Sequence, residues 1–192
     1  MKSSSISRES ILAVSRQIIS EQGFDALNIR RVASACQVAI GSVYNYFPSK
    51  GDLVCAVVEN VWRDIFHMSD SPQPFSSFPE CVNWLFCRIK KGCEEYPEFF
   101  TLHSMSFATS EKKKGREVMN RYFGHIRQNL LDVLCHDSEV CPDVFGSTLT
   151  EQAFVEMVFS LLIGQLLQKK ENCLDLLELI SQCLYHRRYL RS

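Results

Sequence analysis

The chain has 192 residues, of which 46% are hydrophobic and 22% charged, and its net charge at pH 7 is −1. These values are typical of a folded globular protein, and they exclude a mostly disordered chain and one that coats nucleic acid through bulk positive charge. Residues 1–50 nevertheless carry six Lys or Arg against three Asp or Glu, a net charge of +3 that leaves −4 for the remainder. A locally basic N-terminal segment is compatible with contacts to phosphate.

The sequence contains no recognisable secretory signal and no segment of bilayer length. Its most apolar stretch, residues 153–167, is shorter than the ~20 residues that a bilayer requires, and it contains Glu156 and Gln165. The nine cysteines are odd in number and irregularly spaced, which indicates reduced thiols rather than a disulfide framework. We therefore expect a cytoplasmic protein that does not associate with membranes.

The first fifty residues contain the signals for three helices. Ser7 is placed to cap a first helix that ends at Gly23, and Asn28 to cap a short second helix. Val43 and Phe47, one helical turn apart, mark the inner face of a short third helix.

The remainder of the chain also shows helical periodicity. A capping-box pattern at 49–52 starts a long fourth helix, and a segment rich in Pro and Ser follows at 69–79. Further helices are predicted over 81–95, 97–107 and 113–134, after a capping box at 148–151, and from Asn172 onward. Strand-like alternation and internal repeats are lacking, so we predict an all-α fold of about nine helices.

The third helix has an unusual outward face. With Val43 and Phe47 directed inward, it displays small residues, hydroxyls and an amide: Gly41, Ser42, Tyr44, Asn45 and Tyr46. A helix that enters the DNA major groove needs small residues where it approaches the bases, and polar groups that reach phosphates and base edges. The alternative is an ordinary surface turn of a helical bundle.

The segment Asn28 to Leu53 resembles the DNA-binding domain of the TetR/AcrR (tetracycline-repressor) family, most specifically through Gly-Ser-Val-Tyr-Asn-Tyr-Phe-Pro-Ser-Lys at 41–50. The resemblance covers roughly residues 7–65. It implies a helix-turn-helix DNA-binding domain at 1–50, joined by the long fourth helix to a helical ligand-binding and dimerisation domain at 51–192. It also implies a repressor without enzymatic activity or cofactor, which binds a palindromic operator as a homodimer and is released by a small apolar or aromatic ligand.

Carried over position by position, the resemblance implies DNA contacts by Asn28, Arg30, Ile40, Gly41, Ser42, Tyr44, Asn45, Tyr46 and Lys50. Two positions depart from the family pattern. Gln37 stands where a Gly usually forms the turn, and Ala39 where a Ser usually caps the third helix. Ile40 replaces a common polar residue, so we expect its base contact to be apolar.

The C-terminal part carries two further sets of predicted residues. The last two helices are rich in apolar side chains, and we expect them to pair with those of a second copy through Phe154, Val158, Leu162, Leu166, Leu177, Ile180 and Leu184. The resemblance implies a ligand pocket in the middle of the chain, with Trp84, Phe100, His103, Phe107, Tyr122 and His125 as candidates. Ordinary core packing explains any single one of these residues better than ligand contact does.

Two alternatives remain open at this point. The first is a redox or metal sensor on the same scaffold that uses the cysteines at 135–141, although the spacing is not that of a strong metal motif and we predict no metal site. The second is a helical interaction module that does not bind DNA. An enzyme is not expected, because no phosphate-binding loop, nucleophile elbow or metalloprotease motif occurs.

Overall fold

The computed structural model describes residues 6–67, 75–96 and 110–185, and every regular element within them is helical. In chain order these are α1 (Arg8–Gln22), a 3-10 turn (Phe24–Ala26), α2 (Ile29–Ala35), α3 (Ile40–Tyr44), α4 (Lys50–His67), α5 (Phe78–Glu95), α6 (Ser110–His136), α7 (Glu151–Leu167) and α8 (Leu174–Tyr185). The predicted all-α class is confirmed. The helix predicted over 97–107 lies outside the described residues. None of the described helices combines the length and the apolar character needed to cross a bilayer.

The chain divides into two compact units. The first comprises Met1–Met68 and Lys91–Tyr122, and the second comprises Ser69–Lys90 and Phe123–Ser192. Helices α5 and α6 therefore each contribute residues to both units. The predicted boundary at residue 50 separates a DNA-binding domain from a ligand-binding and dimerisation domain. These roles are not defined by the compact units, so the boundary stays a prediction.

Local capping signals set the ends of the N-terminal helices. The Ser7 hydroxyl accepts the Ser10 N–H at 3.1 Å, and Gly23 ends α1 with a φ of 79°. The side-chain oxygen of Asn28 accepts the Arg31 N–H at 2.9 Å, and the Ser49 hydroxyl accepts the Asp52 N–H at 3.1 Å. Each cap satisfies a backbone donor that the first turn of a helix leaves free, which confirms these predicted boundaries.

Within the first unit, α1 packs against α2 and α4, and α2 packs against α3. Val43 and Phe47 are 0% and 2% exposed, which confirms the predicted inner face of α3. The core around them is aliphatic and includes Ile11, Ile19, Leu27, Val32, Leu53, Val57 and Val61. Burial of such side chains contributes ~1.5–3 kcal/mol each, and it is what holds the five-residue α3 in place.

Asp137 joins three elements of the second unit. Its Oδ2 accepts the N–H of Phe78, the first residue of α5, at 2.8 Å, and it accepts the Tyr185 hydroxyl from the end of α8 at 2.5 Å. Burial and the neighbouring Asp137 carboxylate raise the pKa of the Tyr185 hydroxyl, so it stays protonated as a donor. Helix α5 begins at Phe78, three residues before the start that the sequence predicted at Cys81.

Helix α7 also begins later than its predicted capping box. Thr150, not Thr148, is the capping residue, and its hydroxyl accepts the Ala153 N–H at 3.1 Å. Both threonines precede the apolar run, so the sequence pattern alone permitted either one.

Candidate DNA interface

The turn between α2 and α3 is closed by two backbone hydrogen bonds. The Val38 N–H donates to the Ala33 carbonyl and the Gln37 N–H donates to the Ser34 carbonyl, both at 3.0 Å. This is the Schellman arrangement, which requires a left-handed residue at the position after the cap. Gln37 adopts it with a φ of 55°. The turn geometry is thus kept without Gly, and Gln37 takes a backbone conformation that costs a non-glycine residue ~1 kcal/mol.

Helix α3 starts without help from a side chain. Its N-cap residue is Ala39, which makes no side-chain capping hydrogen bond. The helix is therefore held by its burial at Val43 and, just beyond its end, at Phe47, rather than by its own ends.

Most of the residues around that anchor are exposed. Ile40, Tyr44 and Tyr46 are 43%, 46% and 40% exposed, and Gly41 and Asn45 are exposed as well. A Cβ added at Gly41 would meet no atom of the chain within 4 Å. We call Ile40, Gly41, Tyr44, Asn45 and Tyr46 the reading face. The fold of the chain does not require Gly at position 41.

Two contacts tie the start of α1 to the end of the reading face. The Tyr46 hydroxyl donates to the Ile6 carbonyl at 2.5 Å, and the Arg8 guanidinium lies over the Phe47 ring, 5.3 Å from its centroid. The donor capacity of Tyr46 is thus used within the chain, and its hydroxyl oxygen still has a lone pair to accept a hydrogen bond.

The other predicted DNA-contacting residues lie beside this face or support it. Arg30 and Lys50 are exposed, with Lys50 at the first position of α4, while Ser42 is half-buried. Asn28 is also half-buried, and both ends of its amide are engaged: the oxygen accepts the Arg31 N–H and the nitrogen donates to the Ala26 carbonyl at 3.2 Å. Asn28 therefore acts as a helix cap in this structure.

A polar cluster that the sequence gave no reason to expect links α1, α4 and the end of α5 within the first unit. Arg16 Nη1 lies 2.8 Å from Asp64 Oδ1, and the Tyr96 hydroxyl donates to Asp64 Oδ2 at 2.8 Å. Burial, followed by the Asp64 carboxylate, raises the pKa of Tyr96, so the hydroxyl remains a donor at neutral pH. No local sequence signal could have revealed this cluster, because Asp64 lies 48 residues from Arg16 and 32 residues from Tyr96.

The predicted ligand residues fall into three groups. Phe100, His103 and Phe107 lie outside the described residues. Trp84 is half-buried in the second unit between Phe75 and Arg88, and His125 is exposed. Tyr122, in the first unit, stacks on Trp62 and donates its hydroxyl to the Glu59 carbonyl at 3.3 Å. Trp84 and His125 thus belong to the second unit and Tyr122 to the first, and the ligand residues stay a prediction.

The residues predicted to face a second copy are mostly buried within the single chain, and their role in an interface stays a prediction. Leu177 is half-buried. The other six are buried: Phe154, Val158, Leu162, Leu166, Ile180 and Leu184. Helix α7 is apolar all round, so its sequence did not show which side packs on α8 and the rest of the unit. Helices α7 and α8 also expose five large apolar residues, each between 41% and 64% exposed, which we call the helix-pair face: Met157, Leu161, Leu167, Leu174 and Leu179.

The cysteine-rich segment considered for metal or redox sensing is an exposed surface. Cys135 and His136 are exposed and Cys141 is half-buried, with the His136 ring bound to the Asp132 carbonyl at 2.7 Å. Across residues 6–67, 75–96 and 110–185, no three His, Cys, Asp or Glu side chains cluster closely enough to hold a metal ion. Burial and nearby carboxylates raise the pKa of the Cys135 thiol, which makes it less reactive than a free cysteine.

Comparison with known proteins gives concordant results. Residues 11–57 match the model of the family described as bacterial regulatory proteins, tetR family. The HTH-type transcriptional repressor KstR of Mycolicibacterium smegmatis is 23% identical over 139 residues, which is 72% of this chain and 67% of the repressor. The match to KstR of Mycobacterium tuberculosis, 24% identical over 112 residues, covers 58% of this chain and only 51% of that repressor.

Solved structures share the fold over nearly the whole chain. The multidrug binding protein EbrR, solved with ethidium, superposes with a TM-score of 0.64 and 16% identity over 92% of this chain and 98% of its own. BioQ, solved with its double-stranded DNA operator, gives a TM-score of 0.59 and 14% identity over 93% and 98%. At this identity the likeness establishes the fold alone. The family match, the repressor relatives and the fold agree, and together they identify residues 11–57 as a segment similar to the DNA-binding part of the tetR family of bacterial regulatory proteins.

Proposed function

We propose that the chain is a transcriptional repressor that binds a palindromic DNA operator as a homodimer through α2 and α3. The observation that carries the proposal is the reading face. Its residues contribute little to the core of the chain, they combine hydroxyl and amide groups with an open glycine, and Arg30 and Lys50 on the same domain are exposed. Such a surface is suited to base edges flanked by phosphates.

Gly41 provides the sharpest test, because its environment separates folding from binding. Replacing Gly by Gln inside a helix favours the helix by up to ~1 kcal/mol where space is open. We expect Gly41→Gln to fold at least as stably as the parent, yet to lose about tenfold or more of its operator affinity, because the new side chain would occupy the space nearest the bases. The matched control is Gly124→Gln in α6, since a Cβ at Gly124 also meets nothing within 4 Å.

The measurement begins with selection of bound duplexes from a random-sequence library by the full chain, at a stated salt concentration. Recovery of one short palindrome supplies the operator for titrations of both glycine variants. Failure to enrich any motif, or an equal loss of affinity for Gly41→Gln and Gly124→Gln, contradicts the proposal.

The homodimer is proposed on the helix-pair face. Five large apolar side chains exposed on two adjacent helices exceed what scattered surface residues explain, and two copies related by a twofold axis would bury them against each other. A palindromic operator requires such a symmetric pair of reading helices. The proposed interface therefore consists of Met157, Leu161, Leu167, Leu174 and Leu179 instead of the buried stripe predicted from sequence.

Release by a small apolar or aromatic ligand is the remaining part of the proposal. It rests on the likeness in fold to EbrR, which was solved with ethidium, and on the half-buried aromatic residues Trp84 and Tyr122. A ligand weakens operator binding only if it prefers the conformation that does not bind DNA. Titration of the protein with ethidium, followed by quenching of tryptophan fluorescence, is the first check, with no saturable quenching as the contrary result.

A further inference from the structure

Three large apolar or aromatic side chains are exposed among the described residues of the first unit. They are Ile40, Tyr44 and Tyr46, all within seven residues. The Tyr44 hydroxyl can donate to a phosphate, and the Tyr46 hydroxyl, which already donates to the Ile6 carbonyl, can still accept a hydrogen bond. Ile40 carries no polar atom, so its exposed surface can serve only an apolar contact.

The position of Ile40 on α3 also favours an apolar contact with an approaching surface. It is the first residue of α3, and Tyr44 follows four residues later, so the two side chains lie next to each other on one side of the helix. Between them in sequence stands Gly41, where no side chain blocks an approaching surface. As a β-branched residue, Ile40 has few rotamers to lose when it makes a contact.

The major groove of DNA offers one apolar group on its base edges, the 5-methyl group of thymine. We propose that Ile40 contacts the methyl group of one thymine in each operator half-site and thereby specifies that base. The inference rests on the proposed operator binding and deepens it. Isoleucine discriminates thymine from cytosine by contact with this methyl group, because it has no donor or acceptor to read the rest of the base edge.

The experiment uses the full chain and the duplex recovered by the selection described above. Each thymine of one half-site is replaced in turn by deoxyuridine, which removes the methyl group and leaves every hydrogen-bonding atom in place. We expect one thymine at which the replacement weakens binding about fourfold, the effect of ~0.8 kcal/mol for one buried methyl-sized group at 1.4 kcal/mol per tenfold. Replacement in both half-sites should weaken binding about 15-fold.

Substitution at position 40 then assigns the effect to this residue. Ile40→Ala removes the contact in both half-sites, so it should bind the thymine duplex about as weakly as the parent binds the duplex with deoxyuridine in both half-sites, and it should no longer distinguish the two. Ile40→Val, which keeps the branched carbon, should retain most of the discrimination. Asn45→Ala is the matched control on the same face: it should weaken binding but keep the fourfold effect of the methyl group. Because Ile40 and Asn45 are both exposed, all three variants are expected to melt at the parent temperature.

The outcomes separate the inference from the proposed function. A duplex that binds specifically but tolerates deoxyuridine at every thymine overturns the inference and leaves operator binding intact. A methyl effect that persists in Ile40→Ala overturns the assignment to Ile40. Failure to enrich any duplex removes the proposed function itself.

Discussion

The reading face and the helix-pair face both expose large side chains, yet they differ in composition and support. The reading face is carried by the five-residue α3 and combines one aliphatic residue with hydroxyls, an amide and an open glycine. The helix-pair face is carried by α7 and α8, of 17 and 12 residues, and its large exposed residues are all aliphatic or thioether side chains.

This difference fits the two partners proposed for these faces. A surface that meets DNA must replace hydration of phosphates and base edges, so it needs polar groups with little apolar area. A surface that meets a second copy of the chain gains most from excluding water over a continuous apolar stripe. A charge introduced on the helix-pair face should therefore act on assembly, and a change on the reading face on sequence preference.

The largest effect is expected from Leu161→Glu on the helix-pair face. Because Leu161 is about half exposed in the single chain, the substitution leaves the core intact but places a carboxylate in the proposed interface. We expect conversion to monomer in sedimentation equilibrium and an operator affinity reduced about 100-fold or more, since the two half-sites would no longer be bound together. Asn129→Glu, which adds the same charge on the exposed side of α6, should remain dimeric and bind normally. A dimeric Leu161→Glu protein would remove this face as the interface.

Thiol labelling should give a smaller effect that sharpens the same comparison. Cys87, Cys135 and Cys183 are exposed, whereas burial raises the pKa of Cys81 to about 12 and that of Cys173 to about 11, so both stay protonated and unreactive at pH 8. Cys183 lies one turn beyond Leu179 on α8. We expect Cys183 to be labelled more slowly than Cys87 in the parent, by about tenfold, and equally fast in Leu161→Glu. Peptide mass spectrometry after timed alkylation measures both rates, and equal rates in the parent would contradict coverage of Cys183.

The smallest effect concerns the two helix ends that close with a non-glycine residue in the left-handed conformation. Lys169 ends α7 as Gln37 ends α2, with φ 55° in both, and the Lys170 N–H donates to the Gln165 carbonyl at 3.1 Å. Gln37→Gly and Lys169→Gly should each raise the free energy of unfolding by about 1 kcal/mol in urea titrations. Gln37→Gly should leave operator affinity unchanged, and a loss of affinity there would mean that the Gln37 side chain contacts DNA.

The parts of the fold that the sequence predicted are those with local signals. The caps at Ser7, Asn28 and Ser49 and the stop at Gly23 each depend on residues within one turn, and the structure confirms them. The start of α5 had such a signal too, because Ser77 and Glu80 have the spacing of a capping box. Because this pattern lies within the segment rich in Pro and Ser at 69–79, that segment was predicted as a loop.

The missed features depend on partners distant in sequence or on the direction in which a helix faces. Asp137 holds the start of α5 from 59 residues away, and Arg16 reaches Asp64 across 48. The residues predicted for the interface lie mostly on the buried sides of α7 and α8, and for α7 the sequence could not show this because a helix that is apolar on every side carries no directional signal. The exposed side chains of the folded chain show which side of α7 faces away from the core.

The anchoring of α3 by Val43 and Phe47 has a consequence for how such regulators diversify. Positions 40, 41, 44 and 45 contribute little to the stability of the chain, so changes there are nearly neutral for folding. Duplicated copies of the gene could therefore acquire different operators through a few substitutions without passing through unstable intermediates. A combinatorial library at these four positions, built on an otherwise unchanged chain, would yield folded proteins from which new DNA specificities can be selected directly.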